Sequence, residues 1–213
     1  MNAGEKAAWL QSRCGKLSAS VMADAMDMTK TGKPGAKRVA LLKRLIAERM
    51  TGDTMPNFVS ERMLRGLELE PQGKSEYELR TGNMLRAVGF VEHPTIRDFG
   101  ATSDALVTIE RGAATFEMKA PDTQTHVEYL MAGAVVPERY RPQVLAQCAC
   151  NQVEHVVFVS YDPRVLSESK RLHIVEWTPK REEIEEVEEA ARGFLRELEQ
   201  WWDLIHTEEK ELA

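Results

Sequence analysis

Two apolar stretches of this chain run straight into charge. GATSD ends at Asp104, and thirteen positions later GAATFEMK brings in Glu117, Met118 and Lys119. A Glu-Arg-Gly turn separates them, so they read as neighbouring strands over 101–108 and 113–119. Side chains alternate along a strand, which puts Glu117 and Lys119 on one side and Met118 on the other, in the core. Two carboxylates and a lysine at strand ends suit a hard divalent ion and a water whose pKa that ion lowers. The lysine can orient the water or offset charge building on a phosphate. Taken alone, this spacing is more economically read as a pair of surface strands with solvated charges.

The rest of the chain predicts an α/β order. Ser18 or Ser20 can cap a short helix through Met26. Residues 30–35 read as a loop. A helix follows over 36–50, with Val39, Leu42, Leu45, Ile46 and Met50 on one face and Gly52 as its stop. A second helix is expected over 57–69, ended or kinked by Pro71, and a third over 72–81. Further strands are expected over 84–92, 153–161 and 171–177, and further helices over 125–131 and 138–151. The expected architecture is one domain over 1–213: a single mixed sheet flanked by helices over about 9–178, then a long acidic helix over about 181–206.

In that last helix Ile184, Val187, Ala191, Phe194, Leu198, Trp201 and Ile205 recur three and four apart. They form one apolar stripe. Packing of the stripe on the chain's own sheet is favoured over a subunit contact. Net charge is −6, but residues 181–213 hold twelve acidic and four basic residues, which leaves +2 for residues 1–180. Residues 30–49 carry seven cations against Glu48 alone. An acidic chain can still bind phosphates where local potential is positive, although a solvated helix face is the plainer reading.

The cysteines (Cys14, Cys148, Cys150) fit neither a disulfide framework nor a zinc site and are expected to be free thiols in a reducing cytoplasm. No apolar run is long enough to span a bilayer, and residues 1–6 lack a signal-peptide pattern. The five histidines show no metal-ligand spacing, and His126 alone lies near enough to Lys119 in sequence to approach a site. No nucleotide-binding loop or hydrolase elbow is present.

Asp104 and Glu117-x-Lys119 resemble the PD-(D/E)-x-K nuclease core. The flanking segments resemble, more narrowly, the bacteriophage lambda exonuclease and viral recombinase family. WLQSRCGKLSAS at 9–20 is similar to its opening motif, and RGLELEP at 65–71 to its Gly-x-x-x-Glu helix. YRPQV at 140–144 is similar to its glutamine helix, and YDPR at 161–164 to the turn after its last core strand. They occur in the family's order. Two departures stand out: Gln143 is followed by Val144 and Leu145 where Gln-x-Gln is usual, with Gln147 beyond, and Ser103-Asp104-Ala105 replaces Pro-Asp-Gly.

The resemblance implies a Mg²⁺-dependent (Mn²⁺ possible) 5′-to-3′ exonuclease that degrades one strand of linear double-stranded DNA and leaves 3′ overhangs for phage-type recombination. It implies Asp104, Glu117, Glu70 and the Met118 carbonyl as metal ligands, with Glu68 the alternative to Glu70 if the register slips. Lys119 would orient the attacking water, and Gln143 or Gln147 would hold a water or phosphate. Arg13 and Ser20, with Ser18, would bind the 5′-phosphate, and Met63 would be a wedge that parts the terminal base pairs. The same resemblance implies a ring-shaped homotrimer and a single-strand annealing protein as partner. The alternatives are an endonuclease of the same core, a Cas4-like enzyme, whose four cluster cysteines the chain lacks, or a non-catalytic module that binds DNA ends.

Overall fold

The computed structural model describes residues 3–55 and 60–211. Its centre is the hairpin that the sequence predicts. β5 (Ala105–Ile109) and β6 (Gly112–Lys119) are antiparallel, with Ala105 opposite Phe116. β7 (His155–Tyr161) runs parallel to β6 on its other side, Glu117 opposite Phe158, and β8 (Leu172–Trp177) is antiparallel to β7. β2 (Leu85–Arg86) closes the far edge, giving the order β2-β5-β6-β7-β8. Val156 to Val159 are fully buried, as a continuous apolar run in a strand covered on both faces should be.

The α/β class stands, but the expected single sheet is two. A second, three-stranded sheet joins β1 (Leu17–Ser18), β4 (Phe99–Ala101) and β3 (Val91–Glu92) in the order β1-β4-β3. The expected strand over 84–92 is therefore shared between the sheets, with Gly89 in the gap, where a glycine weakens a strand. Likewise the strand expected over 101–108 breaks at residues 102–104, and that break frees Asp104 from the ladder.

The helices are α1 (Ala3–Arg13), α2 (Met22–Ala25), α3 (Ala36–Thr51), α4 (Glu61–Thr81), α5 (Thr123–Ala132), α6 (Arg141–Asn151), α7 (Glu168–Arg171) and α8 (Arg181–Glu211). Gly52 ends α3 in the left-handed conformation. The buried face of α3 is rotated from the expected one: Leu41 is buried and Met50 is exposed.

The largest departure from expectation is α4. Ser60 caps it by accepting the Met63 amide, and it runs unbroken through Pro71 to Gly82; the start expected at 57 lies outside the described residues. Pro71 sits on the exposed side, where the Leu67 carbonyl it leaves without a helical donor can meet water. Tertiary packing supplies the continuity. Gly73 is buried so closely on the sheet that a Cβ there would lie 2.4 Å from Met118 Cε. Tyr77 is fully buried, its ring 4.9 Å from that of Phe116.

Alternation on β6 thus divides the core. Phe116 and Met118 face α4 with Val157, Val159 and Tyr77, while Val156 and Phe158 join the cluster that contains α6, α3, α2 and α8. The stripe of α8 is buried from Ile184 to Leu198, foremost against α6, α2 and α3 rather than on the sheet itself. Its far end, at Leu204 and Ile205, is exposed. Part of the basic stretch over 30–49 is turned inward by this helix. Arg38 is buried against Glu197, and Arg49 pairs with Glu199 and Asp98. Among the described residues no helix is long and apolar enough to cross a membrane.

Candidate active site

A cleft of about 510 Å³ opens between α4 and the end of β6. Met63, Arg65, Gly66, Leu67 and Glu70 line it from α4, and Asp104, Met118 and Lys119 from the sheet, with Arg139 and Tyr140 from the turn before α6. Glu70 rather than Glu68 faces it, because α4 presents residues three and four apart.

The ladder geometry explains how Asp104 comes to rest here. β5 stops pairing at Ala105, so beyond Phe116 the β5 side of β6 has no partner strand. The Asp104 side chain takes that place, its Oδ2 accepting the Met118 amide at 2.7 Å. Burial, then the neighbouring charge of Glu117, pushes the Asp104 carboxyl up to about 7, against the opposing pull of Lys119 and the Met118 amide.

Glu117 is almost completely buried on the α6 side and is held from three directions. Lys119 pairs with its Oε1. Gln143 Nε2 donates to Oε1 and Gln147 Nε2 to Oε2, each at 2.6 Å. Both candidate glutamines therefore reach the same carboxylate, as residues four apart on one helix face can. Gln147 also donates to the Thr102 carbonyl at 3.2 Å and so ties the site to the break before Asp104. Burial alone would lower the Lys119 ammonium, but Glu117 and Asp104 outweigh it and the net shift is upward. Glu70 is engaged by Lys74, whose Nζ lies 2.5 Å from it and 2.6 Å from the Asp104 carbonyl. Lys74 escaped the sequence reading, although its i+4 position from Glu70 is a signal for such a pair.

Asp104 and Glu117 supply hard oxygen donors, and their mutual repulsion is what a divalent cation relieves, so this pair fits Mg²⁺ or Mn²⁺. Among the described residues, however, no three acidic, histidine or cysteine side chains gather closely enough to form a metal cluster by themselves. Glu70 stands with Lys74 instead.

Arg13, Ser18 and Ser20 do come together, but not as helix caps. Arg13 closes the C-terminal end of α1, and Ser18 makes no side-chain capping bond. Arg13 Nη2 donates to Ser18 Oγ at 3.0 Å and to Ser20 Oγ at 3.5 Å, with its guanidinium 4.6 Å from the Trp9 ring centre. Burial, and then the charge of Arg44, hold this guanidinium below its usual range. An arriving anion would offset both. Trp9 Nε1 donates to Thr102 Oγ1 at 3.2 Å, which links the cluster to the strand break that carries Asp104.

At the cleft's rear the fully buried Asp162 receives Arg65, Arg164 and the Thr123 hydroxyl; burial pushes its carboxyl up, but the hydrogen bonds from Arg164 and Thr123 outweigh it and hold the carboxyl well below the usual range. His126 is fully buried between Ser160 and the Lys170 carbonyl. The three cysteines are free.

Solved structures share this arrangement of elements. The alkaline exonuclease LHK-Exo from Laribacter hongkongensis is 33% identical, with a TM-score of 0.85 over 97% of this chain and 99% of its own. A structure of LHK-Exo in complex with dAMP matches equally well. A phage-related exonuclease from Haemophilus somnus 129PT shares the fold at 13% identity, with a TM-score of 0.67 over 89% of this chain and 96% of its own. No curated protein sequence matches the chain. Residues 8–154 match the YqaJ-like viral recombinase domain, and with the likeness to LHK-Exo this places the chain in the YqaJ-like viral recombinase family.

Proposed function

We propose that this protein is a metal-dependent exonuclease that removes mononucleotides from the 5′-phosphorylated strand of linear duplex DNA and leaves a 3′ overhang. The observation that carries this reading is Asp104 and Lys119 facing one cleft, with Glu117 buried behind Lys119 and paired to it, a strand break away from the Arg13, Ser18 and Ser20 cluster. The dAMP bound by LHK-Exo is a 5′-mononucleotide, the product class this reaction would release.

Asp104 and Glu117 would hold Mg²⁺, with the Met118 carbonyl and Glu70 completing the set once Glu70 parts from Lys74. When bound, the ion would supply charge neutralisation and lower the pKa of the attacking water. The chain's own part is orientation. The amides of Gln143 and Gln147 fix Glu117, the Met118 amide fixes Asp104, and the Lys119 ammonium donates to the attacking water or to a phosphate oxygen. Arg13 with the Ser18 and Ser20 hydroxyls would receive the 5′-phosphate, and the exposed Met63 at the cleft mouth would wedge the end of the duplex. A homotrimeric ring and an annealing partner complete the reading by family resemblance.

The test is digestion of linear duplex labelled at either end, with and without 5′-phosphate, in Mg²⁺. Stepwise release from the 5′-phosphorylated strand is expected, reduced about 10²–10³-fold in Lys119→Ala. Cuts in a closed circle would point to an endonuclease. Binding without any product would leave an end-binding module.

A further inference from the structure

Arg139 is a cation at the cleft that the catalytic reading leaves unused. It is exposed at the mouth, on the short turn Glu138–Tyr140 that leads into α6. Its Nη2 donates to the Tyr129 hydroxyl, and its Cζ lies 4.7 Å from the Tyr140 ring centre and 5.6 Å from that of Tyr129. The Tyr140 ring also lies 5.0 Å from Lys119 Nζ, so one aromatic ring is shared by the site's lysine and by Arg139.

The kind of partner matters. A carboxylate would neutralise the guanidinium, as carboxylates do for Arg38, Arg49 and Arg141. A phenol oxygen and two π faces fix its position and leave its charge standing. A guanidinium carries five N–H donors in a rigid fork that matches phosphate oxygens. Held in place beforehand, it loses little rotamer freedom when a phosphate arrives. The Arg13 cluster shows the same design, an arginine steadied by hydroxyls and a ring.

We propose that Arg139 binds a backbone phosphate of the DNA strand at the mouth of the catalytic cleft, as a second phosphate contact separate from the Arg13, Ser18 and Ser20 cluster. Its role is to position the strand, with Tyr140 keeping it in register with Lys119. This rests on the reading of the substrate as DNA, so the test measures binding, not cleavage.

Dissociation constants for a labelled, 5′-phosphorylated linear duplex would be measured by anisotropy in EDTA across a series of salt concentrations, for wild type, Arg139→Ala and Arg139→Lys. Loss of one charge-assisted phosphate contact should weaken binding about tenfold. It should also lower the slope of log K against log salt by about 0.9 in Arg139→Ala. Arg139→Lys should keep the slope while losing part of the affinity. Arg139 is exposed, so the variants should melt with wild type, and a change in fold alone would not remove a single unit of slope. An unchanged slope and affinity in Arg139→Ala would overturn the proposal. Wild type that binds ends but never cuts would overturn the exonuclease reading and leave the Arg139 comparison decisive. Wild type that binds no duplex end would overturn both.

Discussion

Two of the protein's clefts handle charge in opposite ways, and the larger of the two holds its charges paired. That larger cleft, about 830 Å³, lies between α8, the end of α3 and the loop before β4, and is lined by Arg49, Arg97, Arg192 and Arg196 with Trp202. Its arginines are answered locally: Arg49 by Asp98 and Glu199, Arg97 more distantly by Asp98, Arg192 by Glu188 and Glu189, Arg196 by Glu189. At the smaller cleft and directly behind it the charges are buried and crowded instead. Asp104 is pushed up by burial and by Glu117, while Glu117 is gripped by a lysine and two amides. Chemistry follows unrelieved charge, not volume, because only a group held away from its solution state has free energy to release when substrate or metal arrives.

The contrast is broken most severely at Asp162, the buried carboxylate behind the smaller cleft. Asp162→Asn would leave Arg65 and Arg164 without their charge partner and loosen the entry to α5 through Thr123. Stability should fall by about 3 kcal/mol, read from urea unfolding at neutral pH. The pH sign is fixed by the direction of the shift. A carboxyl held below its ordinary value of about 4 contributes its stability above that pH and loses it as pH falls further. Wild type should therefore lose this advantage in acid, and Asp162→Asn should narrow the gap there. Equal stabilities at pH 7 would show that the cleft's rear is ordinary surface.

Asp104 provides the opposite sign. Its carboxyl is raised to about 7, so the folded metal-free protein holds a proton that the unfolded chain has already released. Its contribution to stability is present below about pH 4 and is lost as pH rises towards about 7. Glu117, Glu70 and Lys119 face the same group and set the size of the effect. The metal-free protein should melt a few degrees lower at pH 8 than at pH 5.5, on the scale of roughly 3 °C per kcal/mol, and Mg²⁺ should reverse the loss at pH 8 but not at pH 5.5. Asp104→Asn should flatten both dependences. A melting temperature that is insensitive to Mg²⁺ at pH 8 would remove the metal from this cleft.

How legible this contrast was in the sequence depends on the range of the forces that make it. Asp104, Glu117 and Lys119 follow from strand alternation, which is local, and Gln143 with Gln147 follows from a helix repeat of four. Glu70 could be placed in the cleft by its motif, but its pairing with Lys74 shows in the sequence only as an i+4 spacing. At Ser18 and Ser20 a local rule gives way: their position reads as a helix cap, but Ser18 makes no capping bond and both hydroxyls accept from Arg13 instead. Pro71 misled for the same reason. A local breaker was overruled by the seating of Gly73 and Tyr77 on the sheet, which no window around the proline contains. The burial of Arg38 under α8 spans 159 residues and has no local signature at all.

The smallest expected effect is the one that tests the larger cleft directly. Arg196 and Glu189 are both 64% exposed and lie 3.0 Å apart. An exposed pair of this kind is worth about 0–1 kcal/mol, since water screens the attraction and two long side chains must be ordered to form it. Arg196→Ala should leave stability within about 0.5 kcal/mol and duplex binding within about twofold, at any salt. The acidic face of α8 gives the physical reason. Glu182, Glu183, Glu185, Glu186 and Glu189 follow one another along it, and a phosphate backbone drawn past this helix would meet their summed repulsion before it met the arginine. A salt slope that fell in Arg196→Ala as expected for Arg139→Ala would mean the opposite. It would put the DNA path through both clefts, and local pairing of arginines would no longer distinguish a structural cleft from a binding one.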